Sequence, residues 1–423
     1  MSSVAPPVAV AATRFVNFDV LHVAPYRRLW LSGLCVGMAR WIDLVVMGWL
    51  AFHLTHSPFL VALAAVARTA PMMALGPFAG VIADRAHRGR VLVATQSLGL
   101  VTALALGIIF AAGVGGYRPL VAFQPLIGAL WAVEFPTRRT SLYALVGPSR
   151  VASAVSLETV SMQVAKVAGP LTAGIGLAHL GPAPCFGMIA IVYGFGLLVS
   201  LRLSPHIGGP ARASGASVGA TLAAGLRAAW TEPTVRAVLL ITILMNTLVF
   251  TYQQMLPVFT REVLSVGPEW LGGLVAAEGF GALVGALAIA SRGGFVPHRR
   301  LFAGAVLAYP LFLVAFSASR WVGLCLAIVL VTGVLESCFS AMQSTLVLLA
   351  APERVRGGAM GILSACIGTQ PFGMLWIGVL AASAGVPVAM AVNGLLAFLG
   401  MLPVAIPLAR LRPAIGRRES PGT

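Results

Sequence analysis

Eight ionisable side chains stand inside long apolar segments of this sequence. The acids are Asp43, Glu134, Glu158, Glu278 and Glu336, and the bases are Arg40, Arg68 and Lys166. An ionised side chain at the centre of a lipid bilayer costs at least about 2.5–3.5 kcal/mol, so each of these residues indicates a special role. Five acids against three bases leave two carboxylates without a cation in the same segments. Carboxylates in this situation are expected to bind protons.

The spacing of these residues suggests partners for some of them. Arg40 and Asp43 are three residues apart, so we expect them to pair along one helix face, either as a structural contact or as part of a binding site. Arg138 follows Glu134 by four residues, which also allows a pair on one face. A pair between these two residues would leave a single carboxylate in excess.

The composition indicates that these segments are membrane spans. The chain is 59% hydrophobic and 9% charged, with a mean hydropathy of +0.94. Soluble domains carry about 25% charged residues, so a soluble globular protein is excluded. With about 20 residues needed to cross a bilayer, the pattern predicts an all-α membrane protein of twelve transmembrane helices. The predicted helices 1–12 cover residues 29–52, 59–82, 91–112, 119–144, 151–178, 183–203, 235–260, 270–291, 301–319, 321–349, 359–384 and 386–410.

The net charge of +16 is distributed asymmetrically between the predicted loops. With the N-terminus inside, the inner segments hold 22 arginines, and the outer loops hold Arg118, Arg261 and Arg320 alone. This asymmetry predicts that both termini of the multi-pass protein lie in the cytoplasm. With the family resemblance given below, the expected location is the bacterial inner membrane. The charge is therefore expected to orient the protein in the membrane, and no nucleic-acid partner is expected.

A dense run of charge separates predicted helices 2 and 3. It reads Gly80-Val-Ile-Ala-Asp84-Arg85-Ala-His-Arg88-Gly-Arg90. Gly80 allows the two helices to approach closely, and Asp84 is expected to end the first of them. The arginines can pair with phosphates or with a neighbouring helix end. We expect this run to be a gating loop; the alternative is a positive-inside anchor without a gating role.

The sequence divides into two similar halves. The segment Thr140–Val151 matches Ser344–Val355 at an offset of 204 residues, close to half of the chain. Two parallel six-helix repeats are therefore expected, with a binding cavity between them near the membrane midplane. The predicted parts are a cytoplasmic tail (1–28), an N-terminal half (29–203), a cytoplasmic linker (204–234), a C-terminal half (235–410) and a second tail (411–423).

The same repeat relates two of the buried acids. Glu134 shifted by 204 residues falls at position 338, two residues from Glu336. The two carboxylates are expected to face one cavity from its two halves at similar depth. Glu134 and Glu336, followed by Asp43, are therefore the candidates for proton coupling.

These features resemble the major facilitator superfamily of secondary transporters. The superfamily's signature loop lies between its second and third helices, as the charged run 80–90 does here, and its fold has two six-helix halves. Helix 5 carries Gly169-Pro170 and Gly174, which resembles the glycine–proline motif of drug/proton antiporters and implies export. The alternative for that motif is a bent, closely packed helix with no transport role.

Within the superfamily, the chain is most similar to the enterobactin-exporter and transmembrane secretion effector branch. The motifs that carry this similarity are Tyr26-Arg-Arg-Leu-Trp30, Leu54-Thr-His-Ser57 and Leu256-Pro-Val-Phe259. Where that branch has Gly-Asp-Trp in helix 1, this chain has Ala39-Arg40-Trp41. The role of that aspartate is therefore not carried over.

The resemblance also implies which residues contact the substrate. In this fold helices 1, 4, 7 and 10 line the cavity. The candidates for the substrate cavity are Arg40, Asn246, Tyr252, Gln253 and Gln254.

The sequence thus predicts a monomeric, proton-coupled exporter of a small amphipathic molecule such as a siderophore, drug or secondary metabolite. The alternatives are an importer or lipid flippase of the same fold, or a membrane sensor or assembly protein that transports nothing. Substrate, protons and membrane lipids are the expected partners. No enzyme activity or cofactor is expected, because the sequence shows no nucleophile–base constellation and no metal cluster. No metal site is expected at His53 and His56, because these two interfacial histidines have no third ligand nearby.

Overall fold

The structure is a computed structural model that describes residues 18–85, 87–147, 150–207, 226–227, 231–291, 298–352 and 355–410. The side chains of residues 18, 76–85, 152 and 357 fall outside this description. Twelve helices form the described part of the molecule. They are α1 (Ala24–Thr55), α2 (Pro58–Arg85), α3 (Arg88–Ala111), α4 (Tyr117–Val146), α5 (Val151–His179), α6 (Pro182–Leu203), α7 (Pro233–Val263), α8 (Pro268–Ser291), α9 (His298–Ala318), α10 (Val322–Ala350), α11 (Arg356–Ile367 and Gln370–Ala384) and α12 (Val386–Arg410).

The predicted all-α membrane fold is confirmed. Eleven helices of the described residues are long and apolar enough to cross a membrane, and α5, with 29 residues, packs between α1 and α8. Most of the predicted limits are met within a few residues, but α1 begins at Ala24 instead of residue 29. The predicted linker 204–234 and both tails lie largely outside the described residues.

The packing of the helices repeats after six of them. In the first half α2 packs on α4 and α3 on α6, and in the second half α8 packs on α10 and α9 on α12. The two halves are joined through α5 with α8 and α2 with α11, which are again equivalent pairs. One core cluster of buried apolar side chains runs from Ala39 in α1 to Leu408 in α12 and draws on both halves.

The charged run between α2 and α3 is more helical than predicted. α2 continues to Arg85 and α3 begins at Arg88, so two residues separate the helices. Asp84 therefore does not end α2, although it lies in its last turn. At the start of α3, a Cβ atom at Gly89 would lie 2.7 Å from the carbonyl oxygen of Ser204, so α3 closely contacts the end of α6.

α7 is an irregular helix along its second half. After Pro233–Leu244, the backbone forms a π-turn (Met245–Val249), a 3₁₀ segment (Phe250–Met255), a short α-helix and a second π-turn (Phe259–Val263). Pro257 contributes to this irregularity because it has no N–H group to donate. π-turns within helices occur frequently at functional sites.

The contacts described between the two halves concentrate at one end of the bundle. We call the end that holds Ala24 and Arg410 the near end, and the opposite end the far end. Between α5 and α8, a Cβ atom at Gly174 would lie 2.6 Å from the carbonyl oxygen of Pro268. Between α1 and α7, a Cβ atom at Gly48 would lie 2.8 Å from Cγ of Pro257. Such close approach of helix backbones is what glycine permits, and it closes the far end.

A methyl group at Gly272 is expected to separate α5 from α8 at the far end. The added Cβ would collide with the carbonyl oxygen of Pro170, and overpacking of this kind costs about 1–3 kcal/mol. We expect Gly272→Ala to lengthen the distance between spin labels at Leu180→Cys and Trp321→Cys, two exposed far-end positions on opposite halves, in a cysteine-free background. Gly273→Ala is the matched control, since nothing lies within 4 Å of its Cβ position. An unchanged distance in Gly272→Ala would contradict the tight closure.

Candidate functional site

A salt bridge joins the two halves near the middle of the bundle. Nζ of Lys166 in α5 lies 2.7 Å from Oε2 of Glu336 in α10. The lysine side chain is 5% exposed, whereas the glutamate side chain is 24% exposed. Lys166 also lies 5.5 Å from the ring centroid of Trp41. The pair is therefore buried on the lysine side, and its carboxylate is accessible.

Glu278 in α8 is held by neutral groups. Its Oε1 accepts hydrogen bonds from the hydroxyls of Tyr252 (2.9 Å) and Tyr309 (3.0 Å) and from Nε2 of Gln253 (3.0 Å). The residue is 1% exposed. No cation of the described residues lies within 4 Å of it, although Lys166 is close enough to interact with it electrostatically. Glu278 is thus the mid-membrane acid without a salt bridge, as the excess of carboxylates in the sequence predicted.

The expected pair between Arg40 and Asp43 does not form. Oδ2 of Asp43 lies 2.6 Å from Nη1 of Arg68 in α2, so the aspartate is paired across two helices instead of along one. The guanidinium of Arg40 lies over the ring of Trp131 in α4, 3.9 Å from its centroid. The prediction was wrong because α2 brings a base to the other side of Asp43, which spacing along α1 cannot show.

The expected pair between Glu134 and Arg138 is confirmed. Nη2 of Arg138 lies 2.7 Å from Oε1 of Glu134, four residues earlier in α4. Nη1 of the same arginine donates hydrogen bonds to the carbonyl oxygen of Leu29 and to the hydroxyl of Ser32 in α1. Glu134 is 3% exposed, so it belongs to a fixed polar contact within the first half.

The other residues predicted to line the cavity differ in their surroundings. Tyr252 and Gln253 are directed at Glu278, so the structure brings them into one cluster. Asn246 is buried and its Nδ2 donates to the carbonyl oxygen of Thr242 in the preceding turn of α7. Gln254 is partly exposed and is not part of the Glu278 cluster.

Two residues of the site were missed by the sequence analysis. Tyr309 was not singled out, although a buried tyrosine hydroxyl generally needs a hydrogen-bond partner. Trp131 was not singled out either, because a tryptophan in a membrane helix gives no sign of whether it faces lipid or a cation. In the sequence, Tyr309 is 31 residues from Glu278, and Trp131 is also far from Arg40.

The predicted gating loop is described only in part. Gly80, Asp84 and Arg85 lie in α2, and their side chains are outside the described residues. Arg88 is buried at the start of α3, and Arg90 is exposed. A gating role for these five residues stays a prediction.

The glycine–proline motif of α5 lies in contacts with other helices. A Cβ atom at Gly169 would lie 2.7 Å from Cβ of Trp41, and Gly174 faces the start of α8. The carbonyl of Pro170 contacts Gly272 of α8. The motif thus packs closely against α1 and against α8 at the boundary between the two halves, and its implication of export stays a prediction.

Comparisons with known proteins agree with this architecture. The family model described as transmembrane secretion effector matches residues 17–414. The staphyloferrin A transporter of Staphylococcus aureus is 27% identical over 173 residues, a match that covers 41% of this chain and 44% of that transporter. The multidrug efflux pump Tap of Mycolicibacterium fortuitum is 22% identical over 396 residues, which covers 91% of this chain and 96% of the pump.

Solved structures share the fold at low sequence identity. A bacterial homologue of the lysosomal transporter Spinster, inward-facing and unoccupied, has a TM-score of 0.70 at 14% identity, covering 92% of this chain and 99% of that one. A POT family transporter in complex with 5-aminolevulinic acid has a TM-score of 0.74 at 13% identity, covering 91% and 96%. The family match over almost the whole chain assigns it to a class of transporters rather than enzymes. The protein belongs to the transmembrane secretion effector family of major facilitator superfamily transporters.

Proposed function

We propose that the protein is a proton-coupled exporter of a small amphipathic molecule in the bacterial inner membrane, with both termini in the cytoplasm. The arginine asymmetry of the loops supports this orientation. The relatives, a siderophore transporter and a multidrug efflux pump, support a small-molecule cargo. A monomer surrounded by lipids is part of the same proposal. In this orientation the closed far end faces outwards.

The observation that carries the proposal is the ion pair between the halves. Asp43 and Glu134 are each paired with an arginine of their own half, and such pairs move as one body when the halves rock. The Lys166–Glu336 pair instead spans the boundary, so it must break when α5 and α10 separate. Of the three acids proposed for proton coupling, Glu336 is therefore the one whose surroundings change during transport.

This geometry supports a simple exchange cycle. When the far end is open, Glu336 has no lysine partner and takes up a proton from outside. Closure brings Lys166 back to 2.7 Å from the carboxylate, which favours the ionised form and displaces the proton towards the cytoplasm. Binding of the cargo from the cytoplasm then offsets the loss of the pair when the far end opens again.

Glu278 belongs to the same proton-binding unit. Lys166 interacts electrostatically with both Glu336 and Glu278, so one cation stabilises the charge of two carboxylates. The hydroxyls of Tyr252 and Tyr309 can donate to the ionised acid, and they can rotate to accept from the protonated one. A single proton shared by Glu278 and Glu336 would make the cluster of these two acids and Lys166 neutral.

The change Glu336→Gln is expected to separate exchange from uphill transport. The amide keeps the size of the side chain but cannot carry a proton, so the variant should exchange cargo while losing accumulation driven by a pH gradient. Both activities can be measured in reconstituted liposomes with fluorescein and rhodamine 123, which are xanthene dyes of opposite charge. Glu262→Gln, an exposed glutamate of α7, is the matched control and should retain both activities.

Full accumulation by Glu336→Gln would refute the assignment of this residue.

The direction of transport is tested separately in inverted membrane vesicles. An exporter accumulates the dye inside them when their lumen is acidic and loses this activity when an ionophore removes the gradient. Movement in the opposite direction would favour an importer, and movement of labelled phospholipid alone would favour a flippase.

A further inference from the structure

Arg40 has a position that the proposed proton cycle does not use. Its guanidinium rests on the face of Trp131, 3.9 Å from the ring centroid, near the middle of α1. Among the described residues, no carboxylate lies within 4 Å of Arg40. The side chain is partly exposed, so a ligand can reach it.

Neither half of the protein is electrically neutral by itself when the mid-membrane charged residues of its helices are counted. In the first half, five bases face three acids, which gives a net charge of +2; in the second half, Glu278 and Glu336 give −2 when both are ionised. The charges of the first half are Arg40, Arg68, Arg138, Arg139 and Lys166 with Asp43, Glu134 and Glu158. Lys166 is paired with the second half, and of these five bases Arg40 is the one that has no salt bridge. An unpaired cation at this depth is costly, so a complementary anion would stabilise it.

The surroundings of Arg40 suit one part of an amphipathic molecule. It lines a small cavity inside the first half, large enough for about one water molecule or one oxygen group, together with the Asp43–Arg68 pair and with the polar residues Thr102 and Tyr193. The remaining walls are largely apolar, formed by Ala103, Leu106, Ile127, Phe186 and Ile189. A guanidinium that stacks on an indole ring keeps its N–H edge free, and this edge matches the two oxygens of a carboxylate or phosphate.

We infer that Arg40, held by Trp131, binds an anionic oxygen group of the cargo, so that the transported molecule is an amphipathic anion. This inference rests on the proposed function and adds to it the chemical class of the substrate. The cavity would hold the oxygen group alone, and the remainder of the molecule would lie outside it. The Glu278–Glu336 cluster would bind the proton in the other half, so cargo and proton occupy separate sites.

Binding of two dyes of opposite charge tests this inference. Purified protein in phosphatidylcholine nanodiscs is expected to bind fluorescein, an anion, more tightly than rhodamine 123, a cation on the same ring system, by fluorescence polarisation. Arg40→Gln should weaken fluorescein binding about tenfold or more, because a hydrogen-bonded ion pair is lost, while rhodamine binding is retained. Arg40→Lys should restore part of the affinity, and Arg118→Gln, an exposed far-end arginine, should change neither. Thermal unfolding of each variant checks that the fold is intact.

Several outcomes would overturn the inference. They are absent fluorescein binding, equal binding of the two dyes by the wild-type protein, and an equal loss of both in Arg40→Gln. Displacement of fluorescein by added phosphatidylglycerol in wild-type protein but not in Arg40→Gln would identify a lipid phosphate, rather than the cargo, as the occupant of the site. A failure of the proposed function looks different, because then neither dye would move in response to a pH gradient.

Discussion

Replacement of Glu278 by glutamine is expected to abolish accumulation driven by a pH gradient and to leave exchange of cargo within about twofold of the wild type. The acid is 1% exposed and is bound by two tyrosine hydroxyls and a glutamine amide, so a glutamine of the same size can occupy its place. The glutamine amide, unlike the carboxylate, cannot gain or lose a proton at this position. A carboxylate of this kind affects the coupling between proton and cargo before it affects the binding of cargo.

The measurement for Glu278→Gln combines two assays on the same liposomes. One records dye accumulation after a pH jump, and the other records exchange of dye at equal pH on both sides. Glu269→Gln, an exposed glutamate in the first turn of the same helix, is the matched control. Elution of the purified variant as a single folded species separates loss of coupling from misfolding. Normal pH-driven accumulation by Glu278→Gln would remove this residue from the proton-binding unit.

Neutralisation of either Asp43 or Arg68 alone is expected to destabilise the protein more than neutralisation of both. Removal of one partner from a buried pair leaves an uncompensated charge, which costs about 3–5 kcal/mol. The Asp43 side chain is 7% exposed and that of Arg68 is 16% exposed, so little water is available to compensate. The variants are Asp43→Asn, Arg68→Gln and the double variant, compared by thermal unfolding in detergent.

A second double-mutant cycle on the same helix gives the control. Arg40 and Asp43 are three residues apart on α1 and line the same cavity but are not paired, so the coupling between Arg40→Gln and Asp43→Asn should be clearly smaller than that between Asp43→Asn and Arg68→Gln. Additive effects in the cycle of Asp43 with Arg68, or strong coupling in the cycle of Asp43 with Arg40, would contradict the pairing seen in the structure.

The helices were predictable because hydropathy and length alone decide which segments of a chain can cross a bilayer. The ends of the helices were less predictable. The predicted limits of helices 2 and 3 left residues 83–90 between them, whereas the structure continues α2 to Arg85 and begins α3 at Arg88. Charged side chains mark the surface of the membrane, but a helix can continue beyond that surface, since its backbone hydrogen bonds are satisfied within it.

Partners within a turn of one helix could be predicted only when no other helix offered a better one. Glu134 and Arg138 are four residues apart and pair as expected. Asp43 had an arginine at the equally suitable spacing of three, yet it pairs with Arg68, 25 residues away. The position of α2 against α1 decides which arginine pairs with Asp43. That position depends on how all the helices of the first half pack together.

The count of charges was more informative than their spacing. The surplus of carboxylates predicted that one would remain without a cation, and Glu278 is that residue among the described side chains. The pairing behind this result differs from the count, since in the described part of the chain Arg40 has no acid partner and Arg139, which was not counted, pairs with Glu158. The count could not identify Glu278, because Lys166 and Glu336 are 170 residues apart in sequence. The polar partners of Glu278 come from α7 and α9, which sequence spacing cannot relate to α8.

Separate sites for an anion in the first half and a proton in the second would have an electrical consequence for the cell. In the proposed cycle, entry of one proton and exit of one singly charged anion both move positive charge inwards, so each cycle would transfer two elementary charges. A membrane potential of 100 mV, negative inside, contributes about 2.3 kcal/mol for each charge and therefore about 4.6 kcal/mol for each cycle. The proposed exchanger is therefore expected to keep expelling its cargo, driven by the membrane potential, when the pH is equal on both sides of the membrane.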